Sequence, residues 1–349
     1  MKSSSDHKIY QVGLIGAGPI GLEMAVALKS AGIDYLHFDA KQIGHTISWF
    51  APQTRFFSSN ERIAIAGVAL QTADQGKATR EEYLAYLRGV VLQHDLRIRT
   101  FEPVVGIERD GEEFVLTTEP CAGRGSYRFS KLVLCTGGTA TPRLLNIPGE
   151  DLPHVSHYFQ DPHTYFRKRL LVVGGRNSAV EAALRCHHAG AEVSISYRRS
   201  QFDEKSIKYW LLPEINGLIS AGRIRGYFDT VVTEITPSGV TLAPCAGGAG
   251  TMEPFDFVLL LTGYEADMSL MKKVGVELRS ECLIPVFDEK TMETNVPGLF
   301  VAGCAVGGTQ SRYKIFLENC HVHVPRIVAA VTGAAPPLVA EPKYVGAES

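Results

Sequence analysis

VGLIGAGPIGLEMAVALKSAGIDYLHFDA, residues 12–40, reads as an apolar strand, a glycine-rich turn, an amphipathic helix, an Ala-Gly stop and a second apolar strand. That order is a βαβ unit, in which bare backbone amides at the helix N-terminus face a pyrophosphate. The order returns in LLVVGGRNSAVEAALRCHHAGAEVSISYRR, residues 170–199. Without a gap, Gly16 falls on Gly174, Gly21 on Ala179, Glu23 on Glu181, and Ala31-Gly32 on Ala189-Gly190. One glycine motif alone is weak, but two in strand-turn-helix context predict two dinucleotide-binding units.

The copies differ where their ligands should differ. The first keeps Gly16, Gly18 and Gly21, and Asp39 closes its second strand. An acid there accepts hydrogen bonds from both ribose hydroxyls, which fits an unphosphorylated adenosine ribose as in FAD or NAD. In the second copy the matching position is Tyr197, followed by Arg198 and Arg199. Paired guanidinium groups suit a 2′-phosphate, so this copy is read as the NADPH site. Arg176 replaces the middle glycine and brings its own charge toward a pyrophosphate. Gly174, Gly175, Asn177, Ser178 and Gly263 complete that set.

Two apolar strands ending in Thr-Gly, LVLCTGG at 132–138 and VLLLTGY at 258–264, return the chain between domains. TNVPGLFVAGC, 294–304, brings a strand end and Gly303 beside the first site. The expected fold is α/β, with two Rossmann-like domains, one inserted in the other. Residues 1–152 and 266–349 form the outer domain and 153–265 the inserted one. CAGGAGTMEP, from Cys245, is read as a hairpin, and the Pro- and Ala-rich tail as an extension.

Composition narrows the function. A chain of 349 residues suits about two domains of roughly 150 residues each. Its 35 basic against 37 acidic residues give a net charge of −2, so no nucleic-acid partner is expected. No apolar run reaches the ~18 residues that span a bilayer, and MKSSSDHKIYQ shows no signal-peptide core. Seven cysteines without tight spacing suit a reducing, cytoplasmic compartment and predict no metal site.

GLIGAGPIGLE, LCTGG, VVGGRNSAVEAA and NVPGLFVAG together resemble the thioredoxin-reductase type of flavoprotein over essentially the whole chain. RFFSSNERIAI, LPHVSHYF, SIKYWLLPEI and IFLENCHVH resemble the bacillithiol disulfide reductase family within that group. The resemblance implies FAD in the outer domain, NADPH in the inserted one, and a homo-oligomer. It implies an FAD site of Gly16, Gly18, Pro19, Gly21, Asp39, Ala40, Lys41, Ser48, Trp49, Thr136, Gly137, Gly303 and Cys304. It also implies that Lys314 and Ile315 open a last helix, Lys314 to Val328, at the flavin O2.

Three departures stand out. The stretch ahead of the second turn, HYFQDPHTYF, has no CxxC, which excludes the thioredoxin-type dithiol relay there. Ile20 occupies the position at which the bacillithiol disulfide reductases carry a cysteine. Gly303 is followed by Cys304 where the group has Asp. Cys304 and Lys314 are therefore the candidates for chemistry, whereas Cys135 and Cys320 read as packing residues. The expected reaction is hydride transfer from NADPH to FAD and on to a low-molecular-weight thiol disulfide. The alternatives are a ferredoxin– or flavodoxin–NADP reductase with Tyr344 on the flavin, then a flavin monooxygenase.

Overall fold

The computed structural model describes residues 8–121, 123–310 and 314–335, so Tyr344 and the tail lie outside the described residues. Strand β1 (Ile9–Ile15) is buried over its last four residues and runs through the glycine turn into α1 (Pro19–Ser30). Pro19 opens the helix, where a missing N–H forfeits no intrahelical bond. Gly32, at φ +70°, lets the chain leave the helix and turn back. Strand β2 (Tyr35–Phe38) then pairs parallel with β1.

Helices α2 (His45–Ser48), α3 (Asn60–Ile63) and α4 (Arg80–Gln93) follow. A reciprocal cap starts α4: Thr79 Oγ1 accepts from the Glu82 amide, and the Glu82 carboxylate accepts from the Thr79 amide. Strands β3 (Ile98–Arg99), β4 (Val104–Asp110), β5 (Glu113–Thr118) and β6 (Gly125–Leu134) complete a sheet in the order β3-β2-β1-β6-β5-β4. The chain leaves this unit through β7 (Thr141–Pro142).

The second unit contains β8 (Val155–Ser156), β9 (Arg169–Val173), α5 (Asn177–His188), β10 (Glu192–Tyr197), α6 (Leu212–Ser220) and β11 (Arg225–Phe228). Strands β12 (Thr230–Thr236), β13 (Gly239–Pro244) and β14 (Thr251–Glu253) form a separate antiparallel sheet, whose β13–β14 hairpin spans the Gly-rich CAGGAG segment. Strand β15 (Phe257–Leu260) closes a parallel sheet in the order β11-β10-β9-β15-β8. Strand period explains the layering. Leu170 and Val172 point to the α5 side, and Leu171 and Val173 to the three-stranded sheet. Each fully buried leucine contributes about 1.5–3 kcal/mol of transfer free energy.

The chain returns through β16 (Tyr264–Glu265), which pairs with β7, and continues as α7 (Ser269–Lys273) and the hairpin β17 (Leu278–Arg279) and β18 (Ile284–Pro285). Strand β19 (Leu299–Val301) adds in parallel to the last residues of β6. Helices α8 (Leu317–Cys320) and α9 (His323–Thr332) finish the described chain.

Two compact units result. Unit 2 comprises Pro142–Gly263 together with Trp49–Pro52, and unit 1 holds the rest of the described chain. The inserted unit therefore begins about ten residues before the expected boundary at 152. Residues 143–152 are tied into it: Pro148 O accepts from the Ile235 amide at 2.9 Å, and Leu145, Ile147 and Leu152 pack on its core. The Glu150 carboxylate also holds the Leu145 and Asn146 amides at 2.7 and 2.6 Å. Among the described residues no helix is long and apolar enough to cross a membrane.

Candidate functional site

Parallel pairing collects the first set of residues. In register, Ile15 lies opposite Phe38 and Leu134, and Leu134 opposite Val301. Gly16, Asp39, Thr136 and Gly303, each one or two residues further on, thus gather at the carboxyl ends of four adjacent strands. The chain order reverses between β1 and β6, the usual place for a ligand crevice in such sheets.

The three glycines divide the work. Gly16 has φ +103°, and a Cβ on it would overlap the Cys135 carbonyl oxygen. A Cβ on Gly21 would overlap the Gly16 carbonyl oxygen, so α1 packs directly on the turn. Around Gly18 a Cβ would meet nothing within 4 Å. Its bareness is not needed for packing and leaves the turn open to close approach by an anion. Thr136 Oγ1 is buried there without a hydrogen-bond partner. Gly137, at φ +77°, is open as well.

Asp39 accepts from the Ala17 amide at 2.6 Å and from the Lys41 amide at 2.7 Å, one on each carboxylate oxygen. Each oxygen keeps a further acceptor position, which suits two ribose hydroxyls. Burial pushes its pKa up, and the two amides work against that. Ala40 follows at the strand end. Ser48 ends α2 and donates to the His45 carbonyl at 2.6 Å.

Two histidines that the motifs did not point to hold this turn and the β19 exit. His37 Nε2 donates to Gly16 O at 2.9 Å, and Nδ1 is buried without a partner. His323 Nδ1 accepts from the Gly303 amide at 3.1 Å, which needs the ring unprotonated there. Burial lowers both pKa values to about 4, helped at His323 by Arg326 and His321. A depressed histidine contributes stability that is complete above its unfolded value near 6.5 and is lost as pH falls toward 4. Each is worth up to about 3 kcal/mol over that window. The thermal midpoint should therefore fall by several degrees between pH 7 and pH 5. A His37→Gln, His323→Asn double variant should flatten the drop, and an unchanged slope would remove the assignment. His321 has the opposite sign. Burial opposes its charge, but Glu23 Oε2 at 2.7 Å and Arg62 O at 3.0 Å accept from both nitrogens and hold its pKa up.

The second turn is tighter. Gly174 has φ +144°, and a Cβ would overlap Leu261 O. The Tyr197 ring lies against Gly175, where no Cβ would fit. Arg176, with extended backbone, caps the start of α5. The Asn177 side-chain oxygen accepts from the Lys208 amide at 2.8 Å, so this residue braces a neighbouring loop. Ser178 follows in the first turn of α5. Arg198 and Arg199 are exposed just past β10, with Arg199 3.9 Å from Asp203. Gly263, at φ +106°, has open space around it.

Two expectations change. Lys314 and Ile315 do not open a helix. Their amides both donate to Gln310 Oε1 at 2.9 Å, and the helix starts at Leu317. The expected single helix is broken after Cys320, because Pro325 has no N–H to give the His321 carbonyl. Trp49 falls in unit 2, with its ring 5.3 Å from that of Tyr158. Phe56 packs on Tyr83, with ring centroids 4.5 Å apart.

With this geometry in hand, known proteins offer a comparison. The family model for pyridine nucleotide-disulphide oxidoreductases matches residues 14–303. The bacilliredoxin reductase Bdr of Bacillus subtilis is 37% identical over 91% of this chain and 96% of its own. The solved bacillithiol disulfide reductase Bdr of Bacillus cereus is 36% identical, with a TM-score of 0.88 over 93% of this chain and 99% of its own. The Staphylococcus aureus Bdr structure is 31% identical, with a TM-score of 0.86 over 93% and 99%.

Proposed function

Since the chain belongs to the pyridine nucleotide-disulphide oxidoreductase family, we propose that it is an NADPH-dependent FAD oxidoreductase that reduces a low-molecular-weight disulfide of the bacillithiol class. The balance is NADPH plus a proton plus RSSR, giving NADP⁺ and two RSH. The observation that carries this reading is the divergence of two otherwise matching βαβ units: Asp39 ends one, and Tyr197, Arg198 and Arg199 end the other. The overall likeness to the Bdr proteins supports the disulfide as acceptor.

The residues present fit FAD in unit 1. Gly18 leaves space for a pyrophosphate, Thr136 Oγ1 wants a partner, and Asp39 keeps acceptor positions for a ribose. Bound there, the flavin supplies hydride acceptance and two-electron donation. The chain itself binds and orients. The α1 N-terminus and bare amides offset pyrophosphate charge, and His37 fixes the Gly16 carbonyl so that the turn keeps its shape. In unit 2, Arg198 and Arg199 hold the 2′-phosphate and Arg176 the pyrophosphate. We place the enzyme in the cytoplasm, where its cysteines stay reduced, as a homo-oligomer.

NADPH consumption in oxygen-free buffer tests the reading, with bacillithiol disulfide in one cuvette and ferredoxin in another. Turnover is expected with the disulfide. Turnover with ferredoxin alone would replace this reading by an electron-transfer reductase on the same scaffold.

A further inference from the structure

An acid is missing from the end of β10 but returns close by. Where Asp39 closes the first copy, Tyr197 closes the second, and six residues later the chain places Asp203. Aromatic packing folds that stretch back on the strand end. The Tyr197 and Phe202 rings stack with centroids 5.8 Å apart, and Phe202 and Ile207, on either side of the strap 203–206, are buried in the unit 2 core. Asp203 caps the one-turn helix Glu204–Ser206. Its Oδ1 accepts from the Lys205 amide at 3.0 Å and its Oδ2 from Ser206 Oγ at 2.8 Å. Both bonds lie within the strap, so the carboxylate is held where it stands. Asp203 Oδ2 is also 3.9 Å from Arg199 Nη1. That exceeds hydrogen-bond length. Asp203 therefore does not grip the guanidinium but sets a fixed negative charge beside it.

We propose that Asp203 is a specificity-determining residue that restrains the preference for NADPH and keeps NADH in use as a second hydride donor. This rests on the assignment of the 2′-phosphate to Arg198 and Arg199 made above. A phosphate drawn to those arginines meets the Asp203 charge as well, and like charges a few ångströms apart repel. The bare 2′-hydroxyl of NADH meets no such penalty. Asp203 lines a pocket with Gln201, Lys205 and Asn216, in which a ribose hydroxyl can donate to the carboxylate. That is the chemistry by which Asp39 suits a free ribose in unit 1. Turnover with NADH has the same balance as before: NADH plus a proton plus RSSR gives NAD⁺ and two RSH.

The test titrates the flavin-loaded enzyme calorimetrically with NADP⁺ and NAD⁺, which carry no hydride to transfer. Asn and Ser cap helices as well as Asp does, so Asp203→Asn and Asp203→Ser remove the charge and keep the strap. Both should raise NADP⁺ affinity about three- to tenfold, as loss of one unit charge about 6 Å from a phosphate in watery surroundings would. Affinity for NAD⁺ should not rise. The gain should shrink in about 1 M salt, where the screening length is about 3 Å, a dependence that a rearranged loop would not show. With bacillithiol disulfide as acceptor, wild type should oxidise NADH, and the NADPH-to-NADH ratio of kcat/KM should climb in both variants by the factor seen in binding.

No NADH oxidation by wild type would overturn the proposal, as would equal gains for both nucleotides or an unchanged NADP⁺ affinity. A loss of NADP⁺ affinity would also overturn it, and would mean that Asp203 aims Arg199 at the phosphate. The Arg198→Ala, Arg199→Ala variant is titrated alongside. If it loses the preference for NADP⁺ while Asp203→Asn keeps the wild-type ratio, this proposal falls and the nucleotide assignment stands. If the arginine variant keeps the preference too, the assignment falls and takes the proposal with it.

Discussion

Replacing Arg198 and Arg199 together by alanine is expected to raise the KM for NADPH about 10- to 100-fold while leaving that for NADH nearly unchanged. The selectivity follows from chemistry. A 2′-phosphate is the sole difference between the two donors, and a charge-assisted hydrogen bond to it contributes about 1.5–3 kcal/mol. Both arginines stand exposed beyond β10, directly after Tyr197, which matches Asp39 of the first copy. The Cys245 thiol donates to the Arg198 carbonyl at 3.3 Å and helps fix the backbone that presents the pair. Arg199 shares its charge with Asp203 at 3.9 Å, so the single Arg198→Ala should have the larger effect. Flavin content should not change, because the substitutions lie in unit 2. Steady-state kinetics with both nucleotides decides it: equal losses would mean that the arginines form a solvated strand end with no part in discrimination.

The sequence made the repeated units legible because their signal is local. Strand period, glycine turn and helix lie within thirty or so residues, and the offset match fixed their equivalence. What it hid was set by contacts between distant residues. Residues 143–152 read as part of the outer domain because no composition break marks them. Their allegiance comes from a Pro148–Ile235 hydrogen bond and apolar packing. The run from Lys314 to Val328 has helical residues throughout, yet Gln310 captures its first amides and Pro325 removes a bond in the middle. His37 was invisible as a functional residue. It sits in an apolar strand, and only the three-dimensional turn brings Gly16 O to its ring.

Within the first turn, Gly18→Ala and Gly21→Val should fail in different ways, and the difference separates a ligand-binding glycine from a packing glycine. Gly21→Val is expected to abolish flavin binding and to lower expression of folded protein sharply, because even its Cβ would overlap the Gly16 carbonyl oxygen. That neighbour is backbone held from the other side by His37 and cannot move without unseating β1 from α1. Gly18 has an ordinary φ of −72° and open space where its Cβ would stand. Alanine there should leave the thermal midpoint of the flavin-free protein within about 2 °C of wild type, as a surface change of ~0.5 kcal/mol or less would. Flavin affinity should nevertheless fall at least tenfold, about 1.4 kcal/mol, because the methyl group occupies the space into which a pyrophosphate must come. Flavin absorbance after gel filtration, titration with FAD, and melting of the stripped protein measure the three quantities. If Gly18→Ala keeps full flavin affinity, the open face of the turn does not meet the pyrophosphate, and the FAD site must be sought elsewhere. If it melts early without flavin, the bareness of Gly18 serves the fold and not the ligand.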